Sequence, residues 1–62
     1  MGPEEQLEAI RFEKELCESG NAGLISGQMV DLRTHPNAEP FTIDAMKKIA
    51  ADLQIEEDKL LK

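Results

Sequence analysis

Gly20-Asn21-Ala22-Gly23-Leu24-Ile25-Ser26-Gly27-Gln28-Met29-Val30-Asp31-Leu32-Arg33-Thr34-His35-Pro36 separates two amphipathic segments, and its reading sets the fold class. The stretch opens with turn-forming residues and then takes on a helical pattern. Ser26 is placed to cap a helix, its hydroxyl accepting from a free amide of the first turn, and Ile25 and Val30 have the spacing of an apolar clasp around such a cap. Met29 and Leu32 would face inward. Pro36 drives His35 out of helical backbone, so the element should end near Thr34. The expectation is a helix over about 26–34.

The flanking segments carry clearer local signals. From Pro3 to about Glu18, a proline suited to a first helical position is followed by Glu4 and Glu5 at the positive end of the helix dipole, and Gly20 stands where a helix would stop. Ala9, Ile10, Phe12, Leu16 and Cys17 fall on one arc. Arg11 is spaced to pair with Glu8 or Glu15, and Lys14 with Glu18, on a solvated face. After a stiff loop, His35-Pro36-Asn37-Ala38-Glu39-Pro40, Thr42 caps a third helix. Phe41 and Met46 clasp that cap, and Asp44 faces the dipole. Ile43, Met46, Ile49, Ala50 and Leu53 recur at three- and four-residue steps. The acidic run Glu56-Glu57-Asp58 reads as a fresh helical start after Gln54-Ile55. The predicted fold is therefore all-α: a single helical domain, 1–62, with main helices at about 3–18, 26–34 and 43–53 and a short C-terminal helix at about 56–61.

Composition excludes more than it assigns. At 62 residues the chain is near the lower size at which an apolar core alone sustains folding, so self-association or a partner is a reasonable source of further stability. Thirteen acidic against seven basic residues give a formal charge of −6, which opposes general binding to phosphate backbones. The single cysteine, Cys17, closes no internal disulfide and makes no zinc site by itself, which fits a reducing, cytoplasmic setting. No apolar run approaches the roughly 20 residues that cross a bilayer, and the N-terminus lacks the basic and apolar regions of a secretory signal.

Candidate chemistry is sparse. Asp31 lies four residues before His35, the only histidine, and on a helix the two would share a face; a metal would need further ligands, of which Asp44 is one option. Cys17 beside His35 would make a nucleophile pair, but a lone cysteine at an apolar helical position behaves as a small buried hydrophobe. The acidic clusters Glu4-Glu5 and Glu56-Glu57-Asp58 are accounted for by helix dipoles. There is no phosphate-cradling glycine motif with its lysine, and no tryptophan or tyrosine on which a base could stack. No catalytic, metal or cofactor-binding residues are assigned, and the chain is read as a non-enzyme.

Two segments resemble known families. Residues 20–32, with Ala22-Gly23-Leu24, Gly27-Gln28 and Asp31-Leu32, are similar to a segment of trans-isoprenyl diphosphate synthases, here with Ser26 in place of a glycine. That family binds magnesium through aspartate-rich runs, and this chain has no Asp-Asp-x-x-Asp. Residues 40–61, with Ile49-Ala50 and Leu53-Gln54-Ile55, resemble the C-terminal helices of phage-repressor-type helix-turn-helix domains. That likeness implies a recognition helix over 27–34 offering Gln28, Arg33 and Thr34 to DNA.

The reading preferred on charge and composition is a small acidic module that binds protein, through a partner or a second copy, with Leu7, Phe12 and Leu24 as apolar contacts and Glu8 and Glu15 as a polar rim. The alternatives are a helix-turn-helix-like DNA-binding regulator and an acidic inhibitor of a nucleic-acid-binding enzyme.

Overall fold

A computed structural model describes residues 2–62. Its order is α1 (Pro3–Ser19), β1 (Ala22–Ile25), β2 (Gln28–Asp31), β3 (Glu39–Pro40) and α2 (Ile43–Leu60). The fold is thus α+β, two long helices and a three-stranded antiparallel sheet of order β2-β1-β3, and not the all-α bundle expected from periodicity.

The helix ends that the sequence marks at Pro3, Gly20 and Thr42 are built as expected. Pro3 opens α1 and Glu4 and Glu5 occupy its first turn. At the other end Gly20 takes a left-handed conformation (φ 76°), its N–H donating to the Cys17 carbonyl while that of Asn21 donates to Leu16. This pair of bonds forms a Schellman cap, and the positive φ is the reason a glycine stands there. On α2 the Thr42 hydroxyl accepts from the Ala45 N–H at 3.1 Å. Phe41 and Met46, on either side of that cap, both join the apolar cluster.

The centre of the chain departs from expectation. Residues 26–34 form no helix: Ser26 and Gly27 (φ 51° and 78°) are the two central residues of a turn linking the paired Ile25 and Gln28. Two consecutive positive φ values in a two-residue hairpin loop define a type I′ turn, whose twist matches the flanking strands. A helix across this stretch would have carried Gly27 in its first turn at a cost of about 1 kcal/mol relative to alanine, and it would have been only about nine residues long, too short to stand without packing. The hairpin instead puts the two glycines to use. Gly27 turns the chain, and Gly23 lets it be crossed closely by Leu32 and Ala38.

β1 is the central strand, pairing Ala22 with Asp31 and Leu24 with Met29 on one side, and Gly23 with Pro40 on the other. The Phe41 N–H donates to the Ala22 carbonyl at 3.2 Å, so the alternation of the ladder turns the Pro40 nitrogen to the outer edge, where a missing donor costs nothing. Ala22, Phe41 and Met29 share the face that meets α1. There Leu16 (0% exposed), Cys17, Ala22 and Met46 form the core, with Met29, Phe41, Ile49 and Ala50 packed around it. The opposite face carries Gly23 and Val30 and is partly covered by Leu32 and the buried Ala38 from the loop between β2 and β3.

The second correction lies at the C-terminus, where α2 runs unbroken from Ile43 to Leu60, and the break at Gln54-Ile55 and the separate short helix at 56–61 do not occur. No glycine or proline interrupts those residues, and Gln54 reaches Asp58 one turn on, donating a 3.0 Å hydrogen bond. Met46, Leu53 and Glu57 are its buried residues. The two helices pack antiparallel: the C-terminal end of α1 at Cys17 borders Met46 and Ala50, and the N-terminal end at Gln6 and Ile10 borders Lys59 and Leu60.

Glu57 shows what fastens them. Its carboxylate is nearly buried and accepts from Arg11 Nε at 2.7 Å and from Lys14 Nζ, while Lys14 also donates to Gln54 at 2.8 Å. The cations expected to pair along α1 with Glu8, Glu15 and Glu18 cross to α2 instead. Lys14 and then Arg11 hold the Glu57 carboxyl below its ordinary range. A depressed native-state pKa means that the contribution of this group is present above the unfolded-state value and is lost as pH falls below about 4.3. Urea midpoints measured from pH 6 to pH 3 should therefore fall more steeply for the native chain than for Glu57→Gln. Parallel curves would show that the cluster contributes nothing to acid stability.

Candidate interaction surfaces

Each residue proposed from the sequence can now be placed. Glu8, Phe12 and Glu15 lie on one side of α1, spaced by four and three residues, and all three are exposed. Phe12 sits one turn before Leu16, so it extends toward the N-terminus the stripe that Leu16 buries against the sheet. The reversal at Gly20-Asn21 sends β1 back along α1. Leu24, two residues on from Ala22, shares the sheet face that packs on Leu16 and so looks toward the helix. Phe12 is 52% and Leu24 38% exposed, with Met29 paired to Leu24, and these are the exposed apolar residues of the candidate face. Leu7 does not join it: it is half-buried and about 100° around α1 from Glu8.

The residues offered to DNA occupy a different setting from the one the helix-turn-helix likeness implies. Gln28 starts β2 beside the turn, and Arg33 and Thr34 lie in the loop that follows, so no helix presents them. Arg33 is already engaged. Its Nε and Nη2 meet the two Asp31 carboxylate oxygens at 2.9 and 2.8 Å, and its backbone N–H donates to Asp31 Oδ1 at 2.9 Å. Those bonds hold the Asp31 carboxyl below its usual range, and Glu15 approaches the same guanidinium at 4.0 Å. Thr34 Oγ1 lies 3.0 Å from His35 Nδ1 and donates to the Asp31 carbonyl at 3.2 Å.

Asp31 and His35 therefore share a turn, not a helical face, with the His35 N–H donating to the Asp31 carbonyl at 2.9 Å. No group of three or more histidine, cysteine, aspartate or glutamate side chains close enough to hold a metal occurs among the described residues. Cys17 is buried, and burial, followed by the nearby Glu13 and Glu18, pushes its thiol up, away from the thiolate form a nucleophile needs. No helix among the described residues is long and apolar enough to cross a membrane.

One surface went unread in the sequence. A groove of about 490 Å³ runs along the seam of α1 and α2, with Ala9, Ile10, Leu53 and Leu60 as apolar lining and Glu13, Glu56 and Lys59 among its polar residues. No strand residue lines it. Ala9, Glu13 and Leu16 follow one stripe of α1, and the sheet covers that stripe only at its C-terminal end. The available signal was apolar stripes on both helices running longer than a small sheet can cover.

Comparison with protein-family models, with curated proteins and with solved structures finds no match for this chain.

Proposed function

We infer that the chain is a small acidic interaction module that works by binding another protein, with the Phe12–Leu24 face as its contact surface. The observation that carries this reading is the half exposure of Phe12, one of only two phenylalanines in a chain without tryptophan or tyrosine, between Glu8 and Glu15 on α1, together with the exposed Leu24 paired to Met29. An aromatic anchor with an apolar neighbour and a polar rim is the arrangement from which binding hot spots are made. The buried, protonated thiol of Cys17 is in keeping with a reducing compartment such as the cytoplasm.

Quantitative affinity capture at physiological salt tests this, comparing the native chain with Phe12→Ser and Leu24→Ser after circular dichroism has shown that both variants fold. A protein recovered at least tenfold less with each variant supports the assignment. Equal recovery by all three, together with a monomeric mass in light scattering, removes it. The acidic-inhibitor reading has its own support in the exposed Glu4, Glu5, Glu8, Glu15 and Glu18 along α1. It requires that charge reversal at Glu4, Glu5, Glu8 and Glu15 abolish binding while Phe12→Ser leaves it intact.

A further inference from the structure

We propose that the groove between the N-terminal half of α1 and the C-terminal half of α2 is a second docking surface, and that its occupant is a cationic amphipathic helix of a partner protein. The groove is separate from the Phe12–Leu24 face: its lining includes neither residue, and it is a concave seam between two helices. From Gln6 to Glu13 and from Leu53 to Leu60 each wall is seven residue steps long, about 10 Å or two helical turns. The groove is more open than enclosed and both its walls are helices, which suits a rod laid between them better than a sequestered small molecule. A helix seated there would meet Ile10, Leu53 and Leu60 with one apolar stripe and complete a three-helix arrangement at the end of the molecule that the sheet leaves bare.

Charge selects the occupant. The half-buried Glu13 and the exposed Glu56 line the groove, and Glu5 and Asp52 stand one turn before Ala9 and Glu56 on the same stripes. The only cations on α1, Arg11 and Lys14, are both bound to Glu57 on the other side of the seam. Among the described residues neither Glu13 nor Glu56 has an ion-pair partner, and Lys59 is the one cation in the lining. Lysines or arginines flanking the incoming stripe would supply the missing charge. A second copy of this chain brings the opposite: it carries −6, and its α1 presents Glu4, Glu5, Glu8, Glu15 and Glu18 to solvent.

The probe is a fluorescein-labelled synthetic helix of leucine and lysine, with the leucines on one stripe. It is compared with a scrambled peptide of the same composition and with a leucine–glutamate counterpart. Fluorescence anisotropy should show binding of the first peptide and at least tenfold weaker binding of both controls. Amide NMR shifts should centre on Ala9, Ile10, Glu13, Leu53, Glu56 and Leu60. The pair Glu13→Lys and Glu56→Lys should weaken binding at least tenfold, as should Ala9→Arg, which keeps a helix-favouring residue but fills the groove. Phe12→Ser should leave it unchanged, so this surface and the Phe12–Leu24 face stand or fall separately. The proposal is overturned if the scrambled peptide binds as tightly, if the shifts centre on Phe12 and Leu24, or if charge reversal has no effect. It is equally overturned if the groove amides shift with protein concentration alone as the native mass doubles, since the occupant is then a second copy.

Discussion

Leu16→Ala should remove about 2 to 5 kcal/mol of folding free energy, the range for truncating a leucine in a core that relaxes only partly. At the usual 0.05 to 0.15 kcal/mol per residue a chain of this length has about 3 to 9 kcal/mol in total, so the variant should be close to unfolding at 25 °C. Among the described residues Leu16 is the one large side chain with no exposed surface, and it lies where both helices meet the sheet. It contacts the core with Cys17 of α1, Ala22 of β1 and Met46 of α2, and its carbonyl accepts the Asn21 N–H that closes the helix cap. Leu16→Met keeps the volume and should cost less than about 1.5 kcal/mol. Urea unfolding followed by circular dichroism checks both variants. An alanine variant within 1 kcal/mol of the native chain would show that the helices and sheet are held together elsewhere, with the Arg11–Glu57–Lys14 cluster the first place to look.

That cluster and the central hairpin show where a reading of the sequence stops. Both ends of α1 and the start of α2 were legible because their determinants are local: Pro3 and Gly20 for α1, and Thr42 with Phe41 and Met46 for α2, act within a few residues of where they stand. The centre was ambiguous because Ile25, Met29, Val30 and Leu32 fit a helical spacing over so short a run as well as they fit two four-residue strands. Ser26 is also as good a cap as it is a turn residue. The stronger signal was the Ser26-Gly27 pair between two runs of equal length, together with Gly23, both poor company for a helix. Glu57 was misread for a different reason. Its partners Arg11 and Lys14 are 46 and 43 residues away, while nearer carboxylates offered each cation a local partner. Its position one turn after Leu53, on the stripe that begins at Met46, was the available sign that a carboxylate would be drawn into the helix seam. The exposure of Phe12 and Leu24 was legible, since both are apolar residues that a small core leaves uncovered. The groove was not, because its existence depends on how far the sheet extends along the helices.

Gly23→Ala should destabilise the fold by about 1 to 3 kcal/mol, the range for forcing one extra methyl group into a filled site. The cause is packing and not backbone strain, since Gly23 lies in the middle of β1 and is not among the glycines with positive φ. A Cβ built on it would stand 2.5 Å from Leu32 Cδ2, 3.0 Å from Leu32 Cγ and 3.1 Å from the Ala38 Cβ. The Leu32 methyl and Cγ could swing aside only by a change of rotamer, and the Ala38 Cβ moves only with its backbone, which is held by the Ala38 N–H donating to the His35 carbonyl at 3.0 Å. Leu32 is tied down as well, its N–H donating to the Asn21 carbonyl at 2.9 Å. The conflict therefore reaches the loop that covers the outer face of the sheet and leads into β3. A double-mutant cycle isolates it: Leu32→Ala alone should lower stability by loss of burial, whereas Gly23→Ala in the Leu32→Ala background should cost at least 0.5 kcal/mol less than in the native chain, the usual threshold for coupled neighbours. Strictly additive losses would mean that Leu32 does not cross the sheet at Gly23. The conflict at Gly23 would then rest on Ala38 alone, whose Cβ lies 3.1 Å from the added methyl group.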